Sequence, residues 1–109
     1  MLIAYIKPYE PSVRSRSSNI KNKRYSAIIQ DSVTGETRKV DFGDKRYQNY
    51  TMHQDKDRRD RYRLRHQNDN INNIYSSGFW SYYLLWNKDS LKKSAADIEK
   101  RFHVKVVLN

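Results

Sequence analysis

Arg58, Arg59, Arg61, Arg63 and Arg65 crowd five guanidinium groups into eight consecutive positions. A guanidinium stays charged at physiological pH and offers a planar fork of donors, so its chemistry is the binding of phosphate or carboxylate rather than proton transfer. On a helix these five wrap around the axis instead of lining one stripe. Some are then placed to reach phosphates while others pair with the local aspartates, Asp55, Asp57 and Asp60. The acids lie towards the N-terminal half of that helix and the arginines towards its C-terminal half, the order that suits the helix dipole. Asp55–Arg59 and Asp57–Arg61 have the i,i+4 spacing of helical ion pairs.

Other reactive side chains are sparse. His53, His66 and His103 have the right type for metal ligands or general bases, but no two are four apart on a helix and the chain has no cysteine to complete a site. Capping and surface roles are expected for them. Asp55-Lys56-Asp57 with Asp60 lacks the glycine and closing glutamate of a calcium loop. Ser76, Ser77 and Ser81 have no neighbouring base motif, and the three glycines form no phosphate loop. The expectation is therefore a protein with no catalytic residue, metal or cofactor and no small-molecule substrate.

The rest of the composition points outward, to partners. Among 109 residues, 22 Lys and Arg face 12 Asp and Glu, a formal charge of +10. Such an excess favours nucleic acid, an anionic membrane or an acidic protein surface. Nine tyrosines supply rings with a polar tip, common at interfaces. No apolar run approaches the roughly 20 residues of a membrane span, and Leu2–Ile6 is too short for a signal peptide. An intracellular setting, or a place inside an assembly, is expected.

The elements that must position the arginines are those of one small α+β domain. Residues 1–6 read as an N-terminal strand. Residues 7–23, with Pro8, Pro11 and four serines, read as an extended basic arm whose Arg14, Arg16, Lys21, Lys23 and, at its end, Arg24 would contact a partner. A segment of that composition cannot bury enough apolar surface to fold alone. Residues 24–109 form the domain proper. Tyr25, Ala27 and Ile29 alternate, as do Val40 and Phe42, and Gly35 between the two runs marks a hairpin. Thr51, with Gln54 three residues on, predicts a capped helix running to about His66. After an asparagine-rich loop, Gly78 to Lys88 reads as a helix apolar on nearly every side and therefore buried. It supplies core residues Phe79, Trp80, Leu84, Leu85 and Trp86. Asp89 or Ser90 caps a third helix, in which Leu91, Ala95, Ile98 and Phe102 form one apolar stripe. Residues 104–108 end the chain as a strand beside the hairpin or the first strand.

Two blocks of residues carry a family resemblance. The first is Val40-Asp41-Phe42-Gly43, then Tyr50 to Arg59, Tyr62 and Arg65-His66; the second is Gly78-Phe79-Trp80-Ser81, Leu84 to Lys88, Ser90-Leu91, Ser94 and Asp97. Across roughly residues 25–102 the chain resembles the small, basic, uncharacterised proteins encoded by large nucleocytoplasmic double-stranded DNA viruses. It departs from them after His66, where Ile71 and Asn72 stand in place of an expected tryptophan. The resemblance implies a viral setting and transfers no catalytic residue. Together with the charge, the tyrosines and the lack of a catalytic constellation, it leads to one expected function: a minor capsid component of the virion, bridging or cementing larger coat proteins through its arm and tyrosine-rich surface, with contact to an inner membrane as a variant. The alternative is a sequence-independent nucleic-acid binder in genome packaging.

Overall fold

Alternation of apolar side chains along four segments builds a mixed sheet in the computed structural model, which describes residues 1–10 and 22–108. The strands are β1 (Leu2–Pro8), β2 (Lys23–Asp31), β3 (Thr37–Asp44) and β4 (Lys105–Leu108). They lie in the order β3-β2-β1-β4, with β2 antiparallel to both neighbours and β4 parallel to β1. Because side chains alternate with period two, Ala4 and Ile6, Ala27 and Ile29, and Val40 and Phe42 share one face, and all six are buried. The hairpin turn closes through Gly35, whose φ of 76° is costly for other residues. The Asp31 carboxylate accepts from the Val33 N–H at 2.9 Å.

The first strand is an interior strand of this sheet, with β2 on one side and β4 on the other. The terminal strand takes its place beside β1, not beside the hairpin. Lys23 and Arg24, read from the sequence as the end of the arm, belong to β2. Arg24 there donates to the Tyr47 carbonyl at 2.9 Å. Arg14, Arg16 and Lys21 lie outside the described residues.

Among the described residues there are four helices, of which the third, with the turn that follows it, and the fourth pack on the sheet. The continuous helix expected from Thr51 is two. Asn49 caps α1 (Tyr50–His53), its side-chain oxygen accepting from the Thr51 N–H at 3.1 Å. Gln54 ends α1 at φ 55° rather than closing a capping box. Asp55 then starts α2 (Lys56–His66), accepting from the Asp57 and Arg58 N–H groups at 3.0 and 3.2 Å. An aspartate at that position satisfies orphan donors and complements the helix dipole. Asp55 is thus engaged as a cap, and Arg59 turns to Asp60 instead, at 3.0 Å.

The aromatic segment begins as α3 (Ser77–Trp80), capped by Ser76, and widens into a π-helical turn at Ser81–Leu85. The Trp86 N–H donates to the Ser81 carbonyl five residues back, at 3.1 Å. Phe79, Trp80, Leu84 and Leu85 are buried, while Tyr82, Tyr83 and Trp86 are only partly so. The Trp80 ring lies 6.0 Å from that of Phe42, and its indole N–H donates to the Ile74 carbonyl at 2.7 Å. The loop before α3 packs closely: a Cβ on Gly78 would sit 2.0 Å from the Asp69 carbonyl oxygen. Ser90 caps α4 (Leu91–Phe102), whose stripe buries Ala95 and Ile98 and sets Leu91 and Phe102 at the core margin.

Trp86 was expected in the core and instead flanks it, so the two tryptophans should differ in energetic weight. Trp80→Ala is expected to cost about 3–5 kcal/mol, the usual range for truncating a buried aromatic, and Trp86→Ala clearly less. Urea unfolding of both variants checks this; equal losses would contradict the assignment.

Candidate nucleic-acid interface

No residue of α2 is buried, so apolar contact alone does not hold this helix in place. Two of its arginines do much of that. Arg63 donates from one guanidinium nitrogen to the Tyr82 carbonyl at 3.2 Å and the Trp86 carbonyl at 3.0 Å. Carbonyls at the end of a helical segment lack partners within it and need a donor from elsewhere. The same guanidinium lies 3.9 Å from the centre of the Tyr82 ring, a cation–π contact. One turn earlier, Arg59 donates to the Asn87 carbonyl at 3.3 Å and sits 4.9 Å from the Tyr50 ring. Tyr62, between them in sequence, stacks on Trp86 with planes 6° apart and centroids 4.2 Å apart, and also lies 4.2 Å from the His66 ring. Burial pushes the Tyr62 hydroxyl pKa up.

The other three arginines behave differently. Arg58, Arg61 and Arg65 are exposed, and among the described residues their side chains make no hydrogen bond or ion pair. The expected Asp57–Arg61 pair is not formed. The spacing 58, 61, 65 is i, i+3, i+7, which places all three on one face of a helix. The five arginines do wrap around α2, as their spacing predicts, but those with no internal partner share a single stripe.

Two of the three, Arg58 and Arg65, also line a cleft of about 640 Å³ between α2 and the end of the hairpin. Lys23, Arg46 and Tyr47 line it as well, with Leu85 and Trp86 as apolar lining. Gly43 brings the β3 backbone close to this lining: a Cβ there would lie 2.9 Å from a Leu85 methyl. Asp44 is the one carboxylate in the lining, and Arg46 grips it with two bonds of 3.0 and 2.8 Å. Those bonds from Arg46 hold the Asp44 carboxyl pKa below its ordinary value, with Lys23 adding a smaller effect.

The histidines take structural places. His53 accepts from the Asp55 N–H at 2.9 Å and packs 5.3 Å from the Trp86 ring; burial, helped by Arg58, lowers its pKa. His66 bonds Asp69 at 2.5 Å. His103 ends α4 at φ 56°. Among the described residues no group of three His, Cys, Asp or Glu side chains is placed to hold a metal ion. Ser76 is a helix cap, and Ser81 accepts the bond that closes the π-turn.

Residues 13–66, just under half of the chain, are similar to a family of unknown function (DUF5754). That stretch contains the hairpin, the whole of α2 and all five of its arginines, and stops short of the aromatic segment. No curated protein and no solved structure matches the chain.

The sequence missed the division of the arginines into two sets. Its available signal was the i,i+4 pair Arg59 and Arg63 flanking Tyr62. Arg63→Ala is expected to destabilise the fold by about 1.5–3 kcal/mol, since hydrogen bonds from a charged group to partly buried carbonyls are lost. Arg61→Ala should stay within about 0.5 kcal/mol, as an exposed substitution does. Thermal and urea unfolding of the two variants checks the contrast.

Proposed function

We propose that this is a sequence-independent nucleic-acid-binding protein that acts in the packaging of a viral double-stranded DNA genome. The observation that carries the reading is the stripe of Arg58, Arg61 and Arg65, three exposed guanidinium groups without internal partners on one helix face. Binding phosphate there displaces no ion pair of the fold, so the release of counterions from the nucleic acid is gained without an internal loss. The formal charge of +10 acts in the same direction at longer range. The viral setting comes from the resemblance of the two motif blocks.

The second reading is a minor capsid component that bridges coat proteins. It is favoured by exposed apolar side chains, Tyr47 at 65%, Met52 at 49% and Leu64 at 69%, which suit a protein partner or an inner membrane surface. The basic arm, the main support for this reading in the sequence, lies largely outside the described residues.

Filter binding of the whole protein to random duplex and to single strands, across a salt series, separates the two. Affinity should fall by roughly 0.9 log units per log unit of salt for each duplex phosphate contacted. Replacing Arg58, Arg61 and Arg65 together with alanine should weaken binding evenly across sequences and flatten that slope. Absence of binding at low salt would remove the proposal. Recovery of the protein at fixed copy number from nuclease-treated particles would favour the capsid role.

A further inference from the structure

We infer that the cleft between Lys23, Tyr47 and α2 receives one unpaired nucleotide of a single strand, an inference that rests on the nucleic-acid reading above. A volume of about 640 Å³ falls within the usual range for small-ligand sites, roughly 300–1,000 Å³. A base-paired duplex cannot enter a pocket of that size and can only lie across the outer arginine stripe. A nucleotide turned out of a strand has the size to enter.

The lining has the chemistry for both halves of a nucleotide. Four cationic side chains, Lys23, Arg46, Arg58 and Arg65, face one carboxylate, Asp44. Asp44 is satisfied by Arg46 through two short bonds, which leaves Lys23, Arg58 and Arg65 for a phosphate. For the base, Tyr62 and Trp86 are stacked on each other, so their shared faces are taken. Tyr47 is 65% exposed, with the Arg46 guanidinium 5.8 Å from its ring centre, and a ring that exposed can stack on a base beside that cation; base–aromatic stacking is tolerant of sequence. The cleft is also continuous with the stripe, because Arg58 and Arg65 belong to both. A strand with one nucleotide in the cleft therefore presents its next phosphates to Arg61.

The test compares the affinity of the full-length protein for an oligothymidylate of about a dozen residues with that for a duplex of equal length at low salt. The oligothymidylate should bind more tightly. Tyr47→Ala should lower single-strand affinity about ten-fold, the equivalent of one lost base stack, and leave duplex affinity within about two-fold. Lys23→Ala should act in the same selective way, Tyr47→Phe should retain binding, and Arg61→Ala should weaken both nucleic acids alike. Equal losses on both substrates for Tyr47→Ala, or no loss on the single strand, would overturn the inference while leaving backbone binding intact. Displacement of the oligothymidylate by an equal nucleotide concentration of thymidine monophosphate would assign the cleft to free nucleotides and overturn it too. Failure of both the oligothymidylate and the duplex to bind would overturn the underlying reading as well.

Discussion

The carbonyls of Tyr82 and Trp86 end a widened helical turn, and the guanidinium of Arg63 satisfies both. Most of the functional geometry depends on that contact. A helix as polar as α2, with no buried residue, has little apolar reason to dock. The hydrogen bonds of Arg63 hold it instead, beside the Tyr62–Trp86 stack, and Arg59 supports it from one turn away. With those two side chains fixed inward, helical geometry leaves Arg58, Arg61 and Arg65 facing away. The bond that holds the helix therefore also sets its rotation, and the rotation decides which charges a partner meets.

The carbonyls are themselves held in place from the other side. Asn87 donates to the Asp97 carboxylate at 2.7 Å, and the Lys88 N–H donates to the Ser94 hydroxyl at 3.0 Å. Both tie the end of the aromatic segment to α4. Burial raises the Asp97 carboxyl pKa, but bonds from Asn87 and Arg101 outweigh it and leave the group below its ordinary range. Deeper in, Trp80 against Phe42 and Phe79 against Phe102 join the segment to the sheet and to α4. The π-turn matters here because its hydrogen bond reaches one residue further back than that of an α-helix, which widens the turn. It lets Leu84 and Leu85 stay buried while Tyr82 and Trp86 remain at the margin for α2 to pack on.

What could be read from the sequence were the features governed by a local period. The hairpin followed from alternation in 25–42, and α4 from its stripe of Leu91, Ala95, Ile98 and Phe102. The α+β class followed from both. What could not be read depended on partners distant in the chain. The interior position of β1 needs β4, about a hundred residues later. The break at Gln54 needs a left-handed residue that is not glycine, a choice propensity does not signal. Asp55 has the right type for either a cap or an ion pair, and only the break decides between them. Arg59 and Arg63 look no different from their neighbours until the aromatic segment supplies carbonyls for them. Trp86 belongs to an all-round apolar run, yet the widened turn moves it to the edge.

The most direct measurement is an NMR titration that follows the side-chain Nε–H signals of the five α2 arginines. Arg59 and Arg63 should show slowed solvent exchange in the free protein and small shifts when a short oligonucleotide is added. Arg58, Arg61 and Arg65 should exchange rapidly when free, then shift and become protected as binding saturates. Large shifts at Arg63 with none at Arg61 would contradict the division of this helix into a holding face and a binding face.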